Sequence, residues 1–587
     1  MHAKDSRSFH LPNQRWHIYP ILPSKIHQLA QATGLPPLLA QVLINRGIQT
    51  PAEAKLYLDP DSLLLPHPLE EFPDLALSIE LLQEAIASTE AIAICGDYDA
   101  DGMTSTALLL RALRYLGARV DYAIPSRMKE GYGINNRIVE EFHTQGVKLI
   151  LTVDNGISAV EPVQRAREIG IKVIITDHHD IPPQLPPANA ILNPKLISAA
   201  SPYRGLAGVG IAYILAVTLA QQLGKEDGLY KTSLELFTLG TIADLAPLTG
   251  VNRRWLKRGL QHLSQSQLTG VQALIGVSGV NQQHSLRPED IGFRLGPRIN
   301  AVGRLADPQI AIELLTTTDK GIARERARQC EQLNKNRQEM CAQIEQEAIA
   351  WCAENQINCQ QERVLVIVQP QWHHGVIGIV ASRLVERYGV PVFLGTYETD
   401  SHLRGSARGI PEFHVFQALQ YCDNLLGKYG GHQAAGGFSL RAENLEAFRT
   451  RLREFAYRCL QPEHLRPLVK IDSPASFHQI NLELYQQIDA LHPCGIENSA
   501  PIFWTPNVRV FKQKFVGKSH LKLTLGQETG SGTKMETRIR EAIAWRWGEY
   551  FPLPAQVDIA YKLRENNYNG NRSVELELIG VRLPSDS

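Results

Sequence analysis

Three aspartates fall within five positions of "CGDYDADGMTSTA" (95–107): Asp97, Asp99 and Asp101, directly behind the apolar run "AIAI". Carboxylates this close repel and raise one another's pKa unless a cation or several hydrogen-bond donors neutralise them. The pattern recurs. "LILTV" is followed by Asp154 in "DNG", and "VIIT" by Asp177, His178 and His179 in "DHHD". Carboxylates with imidazole suit Mn²⁺ or Mg²⁺, and so acidic a cluster could hold two ions about 3.5–4 Å apart, the geometry of metal-assisted phosphoester hydrolysis. One Asp after a strand is usually a turn former or helix N-cap, and capping or a supporting role is the expectation for Asp101, which precedes "MTSTALLL". Three successive strand ends carrying Asp, one of them Asp-His-His, favour a metal site for the rest.

Such residues need elements that bring them together. Apolar runs at 91–95, 119–124, 147–153 and 171–176 alternate with helix-period segments such as "TSTALLLRALRYLG" and "SAVEPVQRAREIG". That alternation predicts an α/β fold with a parallel sheet covered on both faces. In open α/β sheets the active crevice lies outside the carboxyl ends of the strands, which would gather Asp97, Asp99, Asp154, Asp177, His178 and His179. Residues 322–354 contain no Gly or Pro and predict a helix of about 50 Å at 1.5 Å per residue, a spacer between domains. A second α/β pattern follows, with strand "RVLVIV" (363–368), helix "GVIGIVASRLVERYG", strand "VPVFLG" and the glycine-dense "YGGHQAAGGFS" (429–439). From 466 onward short alternating strands such as "NVRVFKQKF" and "SVELELIGVRL" predict a small β-barrel. The expected organisation is an N-terminal segment with the catalytic domain (1–305), a connecting helix region (306–355), a smaller α/β domain (356–465) and the barrel (466–587).

A chain of 587 residues is too long for one core, so several domains are expected. Sixty basic residues balance sixty acidic ones, and only local clustering can then point to an anionic partner. Eight cysteines without a CxxC, and no signal-like start in "MHAKDSRSFHLPNQRW", favour a reducing cytoplasm with neither disulfides nor zinc. The longest apolar stretch, "GLAGVGIAYILAVTLA" (205–220), falls short of the roughly 20 residues of a membrane span and reads as a core helix.

"GDYDADGMTSTA", "TVDNGIS" and "ITDHHD" resemble motifs I to III of the DHH phosphoesterases, and "LGTIADLAPL" (239–248) resembles motif IV, adding Asp244. "PSRMKEGYG", "LGPRINAVGRL", "WHHGVIGIVASRL", "GSARG", "GGHQAAGGFS" and "HPCGIENSAPIF" then follow in the order of the RecJ family. The resemblance implies a single-strand-specific 5′→3′ DNA exonuclease that releases 5′-mononucleotides by two-metal hydrolysis in DNA repair and recombination. It implies Asp97, Asp99, Asp154, His178 and Asp244 as ligands of two Mn²⁺ or Mg²⁺ ions, with Asp154 bridging and His179 beside the scissile phosphate. In some relatives a histidine stands where this chain has Cys95, which leaves the ligand count of one ion open. The implied partners are single-stranded DNA, single-strand-binding protein and a RecQ-type helicase, with a monomeric chain and no membrane.

The resemblance makes residues 356–465 a DHHA1 substrate-binding domain and the barrel an OB-fold. The glycines of "GGHQAAGGFS", Gly431 among them, leave backbone N–H groups approachable as an anion nest, and His432 can donate to a phosphate oxygen; the alternative is a tight turn packed on a helix. Arg127 with Tyr132, Arg298, Arg304 and Arg408 are further phosphate-contact candidates, because arginine forks match phosphate oxygens. Residues 498–527 carry Arg509, Lys512, Lys514, Lys518 and Lys522 without an Asp or Glu, interleaved with Phe503, Trp504, Phe511 and Phe515. Basic side chains track a backbone while aromatic faces stack bases; for Phe511 and Phe515, filling the barrel core is an equal alternative. Two rivals stand beside this reading. A small-substrate phosphohydrolase of the superfamily has no need of the third domain, and a non-catalytic strand binder would have lost ligands.

Overall fold

The strands Arg119–Ala123, Ala91–Cys95, Val147–Val153, Lys172–Thr176 and Ala190–Leu192 lie side by side in that order, all parallel. The structure is a computed structural model and describes residues 10–126, 132–280, 285–517, 519–529, 536–568 and 571–584. Their apolar residues alternate between two cores. Ile92, Ile94, Leu149, Leu151 and Val153 join the larger core with helices Leu75–Ala87, Ala100–Leu116, Gly208–Gln222 and Leu229–Ala243. Ala93, Cys95, Ile150, Val173 and Ile175 join the smaller one with helices Asn136–Thr144 and Val160–Glu168. A sheet buried on both faces explains why its strands read as unbroken apolar runs. The order reverses between Ala91–Cys95 and Val147–Val153, and at such a switch point the crevice opens outside the carboxyl ends. The apolar stretch 205–220 is the core helix Gly208–Gln222, and among the described residues no helix is long and apolar enough to cross a membrane.

The chain divides into two compact units, one of Pro60–Ala342 with Pro493–Ser499, the other of the remainder. The helix Lys320–Glu354, 35 residues long, passes from one into the other. The N-terminal residues depart from expectation. They belong to the second unit and not with the catalytic domain, because Arg15–Ile18 pairs in parallel with Leu468–Ile471. That unit also holds a five-stranded sheet in the order Leu426–Gly431, Ala435–Arg441, His402–Arg408, Val392–Thr399, Leu365–Val368, where only the last pair is parallel. The strands Phe503–Val516, His520–Thr529, Glu536–Ala544, Asn571–Arg582 and Gln556–Tyr568 follow one another, and the last pairs back onto the first to close a five-stranded barrel.

Candidate metal centre

The first acidic turn is fixed from both sides. Asp99, not Asp101, is the N-cap of helix Ala100–Leu116, its Oδ1 accepting from Gly102 N at 3.0 Å. Asp101 caps a different helix: its two oxygens accept from Gly208 N at 2.7 Å and Val209 N at 2.8 Å, at the start of Gly208–Gln222. The approach is close enough that a Cβ on Gly208 would stand 2.8 Å from Asp154 Cβ and 3.0 Å from Asp101 Oδ2. Behind the turn, Asn300 Oδ1 accepts from Ala100 N at 2.9 Å, and a Cβ on Gly303 would meet Tyr98 O at 1.7 Å. In "LGPRINAVGRL" it is Asn300 and Gly303, between the two arginines, that seat the acidic turn.

The strand Val147–Val153 delivers Asp154 at φ 59°, 1 % exposed. Asn155 holds this bend. It donates Nδ2 to Cys95 O at 3.0 Å and Val153 O at 2.9 Å, and its Oδ1 accepts from Ile134 N at 3.1 Å. Tyr132 donates its hydroxyl to Asp154 O at 2.6 Å and lies 3.1 Å from His179 Nδ1. Asp177 is fully buried and works as a brace. Its carboxylate accepts from Ile157 N, His178 N, His179 N and, at 2.7 Å, His179 Nδ1. Since a carboxylate only accepts, Nδ1 of His179 carries the proton and Nε2 is left for other chemistry.

These side chains converge with Asp244, at the end of helix Leu229–Ala243. His178 Nε2 stands 3.0 Å from Asp154 Oδ1 and 3.8 Å from Asp101 Oδ2, and His178 Nδ1 lies 3.9 Å from Asp244 Oδ2. Three overlapping groups have ligand atoms within 4.8 Å of one another: Asp97, Asp99 and Asp154; Asp154, His178 and His179; Asp101, His178 and Asp244. Asp154 belongs to two of them. Its Oδ1 is sealed from solvent and, although His178 Nε2 stands 3.0 Å away, receives no well-aligned hydrogen bond among the described residues. A buried carboxylate oxygen in this state is costly, and a divalent cation is the chemistry that relieves it. Burial, then the neighbouring carboxylates, push Asp154 and Asp244 well above the usual carboxylate range, and burial, then Asp99, push Asp101 up to about 7. Burial alone would raise Asp177 too, but the hydrogen bond and charge of His179 hold it low. In return, Asp177 raises His179 against the opposing effect of burial. Cys95 is buried among Ile138, Ile150 and Ile175 in the smaller core and belongs to none of the three groups.

The remaining candidates scatter. Arg298, 8 % exposed, pairs its Nε with Glu331 at 2.7 Å and donates Nη1 to Arg294 O, so its guanidinium ties two helices together and is not presented to a ligand. Arg304 is half-buried on the same helix, Gly296–Leu305. Arg127 and Lys518 lie outside the described residues. In the five-stranded sheet the structure does bring two motifs together: Arg408 is the cross-strand partner of Ala435, next to the exposed turn where His432 N donates to Ala435 O at 2.8 Å. Gly431 holds φ 149°, and Gly436 packs on Leu419 and Val415, so this turn also rests on a helix.

On the barrel, Phe503 is core whereas Phe511 and Phe515 are 50 % and 49 % exposed, beside exposed Lys512 and Lys514. Trp504 departs from expectation. It packs edge-on against Trp16, with the Arg582 guanidinium over both rings, and so belongs to a mixed cluster and not to an open stacking face. Lys522 forms a close pair with buried Glu575, and Arg509 pairs with Glu528 at 2.9 Å on the surface.

The sequence matches the DHH family N-terminal domain over residues 91–241, the DHHA1 domain over 361–458 and the RecJ OB domain over 471–580. It is 34 % identical to the single-stranded-DNA-specific exonuclease RecJ of Escherichia coli over 92 % of this chain and 95 % of that protein. Against the RecJ of Bacillus subtilis identity is 37 % over 88 % of this chain, which spans 64 % of that relative's length. The crystal structure of Thermus thermophilus RecJ in complex with Mn²⁺ superposes with a TM-score of 0.81 at 29 % identity, covering 98 % of this chain and 80 % of that one. The Mg²⁺ complex of the same protein gives 0.76 at 28 %, with 98 % and 79 % covered. With three domains matched in order and a relative covered nearly end to end, the chain belongs to the RecJ family of DHH proteins.

Proposed function

We propose that the chain is a single-strand-specific 5′→3′ DNA exonuclease that releases 5′-mononucleotides by metal-assisted hydrolysis. The observation that carries this reading is the convergence of three strand ends and one helix end on overlapping ligand groups that share Asp154, in a chain that also has the RecJ OB domain. Donors of carboxylate and imidazole type fit Mn²⁺ or Mg²⁺, and Asp97, Asp99, Asp154, His178 and Asp244 are the residues that would hold two such ions. When bound, these ions supply Lewis-acid charge and lower the pKa of water.

The chain's own residues do the rest. Asp177 keeps a proton on Nδ1 of His179 and raises the affinity of Nε2 for a second one, so His179 can donate to an oxygen of the scissile phosphate. Tyr132 anchors the Asp154 backbone at the mouth of the site. His432 and Arg408, neighbours in the DHHA1 sheet, and the basic barrel strands are suited to hold phosphates further along a single strand. Arg304 and Arg127 are further phosphate contacts in this reading. Single-stranded DNA is the substrate, and single-strand-binding protein and a RecQ-type helicase are the protein partners the family resemblance suggests, with the chain acting as a monomer in repair and recombination. A reducing cytoplasm is the compartment that fits this reading.

Digestion of 5′-labelled and 3′-labelled oligonucleotides, single-stranded and duplex, tests the reading. The 5′ label on a single strand should appear at once as a mononucleotide while 3′ label persists in long fragments. Early mononucleotide release from the 3′ end, or equal attack on blunt duplex, would reject it.

A further inference from the structure

The chain turns away from Asp244 through Leu245, an exposed residue held at φ 63°. What fixes that turn comes from far along the sequence. The compact unit that contains the metal centre includes, beyond residue 342, only the seven residues Pro493–Ser499. Leu248 N donates to Ile496 O at 3.0 Å. Arg253, 3 % exposed, donates Nη1 to Pro493 O at 3.2 Å, and buried Asn498 donates Nδ2 to the same carbonyl at 2.5 Å. Gly495 and Asn498 exchange backbone hydrogen bonds of 2.9 and 3.2 Å, with Glu497 at φ 57° between them, which closes a tight turn. This turn rests directly on Leu248, since a Cβ on Gly495 would lie 2.5 Å from Leu248 Cδ1.

Buried Asn252 extends the link to the other side of the site. It donates Nδ2 to Pro247 O at 3.0 Å and to Gly205 O at 2.6 Å, three residues before the helix whose first N–H groups hold Asp101. Asp101 and Asp244, which share a ligand group with His178, are thereby set by one hydrogen-bonded frame.

We propose that the Gly495–Asn498 turn is a positioning element for Asp244: by bracing Leu248 and the Arg253 side chain, it fixes the spacing of the Asp101, His178 and Asp244 group and so the affinity for the ion held there. The proposal rests on the reading that Asp244 helps to hold a divalent ion. Asn498 and Arg253 act through the Pro493 carbonyl, and Gly495 acts by leaving room for Leu248.

The test uses full-length, metal-free protein and counts bound Mn²⁺ from the paramagnetic resonance signal of the free ion, with circular dichroism and melting recorded alongside. Asn498→Ala and Gly495→Val should each raise the dissociation constant of one ion by about tenfold or more, the lower end for loss of an outer partner of a ligand. Gly495→Ala should fall between Gly495→Val and wild type. Half-maximal cleavage should need correspondingly more Mn²⁺, and saturating Mn²⁺ should recover turnover. The glycine variants remove no hydrogen-bonding group and carry the test if Asn498→Ala does not fold. Asp244→Ala separates the two levels. If it leaves Mn²⁺ binding intact, the ligand role of Asp244 is wrong and the proposal falls with it. If it weakens binding while folded Asn498 and Gly495 variants give the wild-type isotherm, the turn is a structural filler and the proposal alone is overturned.

Discussion

His178 Nε2 stands 3.0 Å from Asp154 Oδ1, and Asp154 reaches it from a left-handed backbone conformation, φ 59°. A non-glycine residue held there costs on the order of 1–3 kcal/mol and persists where the surroundings over-determine it; here Asn155 and the Tyr132 hydroxyl do so. Asp154→Asn keeps a side chain that tolerates this conformation and removes the charge. Cleavage should fall by more than the roughly 10–100-fold typical of an outer partner, while the metal-free protein should melt no lower than wild type, since a buried carboxylate among like charges is relieved. A tenth or more of wild-type turnover at saturating Mn²⁺ would rule out Asp154 as the shared ligand.

The Asp177–His179 contact of 2.7 Å makes a separate prediction. Asp177→Asn should reduce cleavage by about 10–100-fold, the usual loss for an outer partner. It should also move any limb of the pH–rate profile that reports His179 to lower pH, because the charge that favours the imidazolium is gone. A uniform drop in rate with an unshifted profile would mean that Asp177 only braces the backbone.

Stability without metal should depend on pH in an unusual direction. The carboxyl groups of Asp101, Asp154 and Asp244 are raised by burial and by one another, whereas the unfolded chain releases these protons near a pKa of about 3.9. Above that pH the folded state binds more protons than the unfolded one, so this contribution falls as pH rises, through the value of about 7 at Asp101. Metal-free protein should therefore lose melting temperature between about pH 5 and 8 from these groups, and the rise on adding Mn²⁺ should grow over the same window. Melting curves with EDTA and with Mn²⁺ across that range check it. A Mn²⁺ effect that shrinks with rising pH contradicts it.

Local sequence carried the strand ends because parallel strands buried on both faces are unbroken apolar runs, and an aspartate behind each is conspicuous. Ala190–Leu192 leaves no signal in the sequence because three residues give no period. Asp101 was legible as a cap but not as the cap of a helix 107 residues later; nothing in "DADG" says which amides satisfy it. The same limit applies to Arg298, whose partner Glu331 lies on another helix, and to Trp504, whose neighbour Trp16 comes from an N-terminal strand that joins the far end of the chain. Short spacing reports what a residue is chemically, and long-range pairing decides whether it is available.

The last prediction concerns the barrel. Lys514 lies directly across from Lys522, an unfavourable pairing of like charges. Lys522 is neutralised by Glu575, while Lys512 and Lys514 project outward beside Phe511, which covers Gly526, and Phe515, which packs 4.8 Å from Phe551. Each phosphate contact to a single strand contributes about −0.7 to the slope of log affinity against log salt. Replacing both Lys512 and Lys514 with Gln should therefore flatten that slope by about 1.4. Phe515→Ala should cost about 1–3 kcal/mol of binding, the range for one stacked base, with little change in slope. Lys522→Gln should instead lower the melting temperature, because it leaves the buried Glu575 carboxylate only its longer pair with Arg564 Nε at 3.5 Å. Binding is best measured on an Asp99→Ala background, in the full-length chain, because deletion from residue 466 onward would also remove Pro493–Ser499 from the unit that holds the metal centre. If affinity for long oligonucleotides and its salt slope survive the double lysine substitution, this face of the barrel does not hold the strand, and a small-substrate hydrolase becomes the better reading.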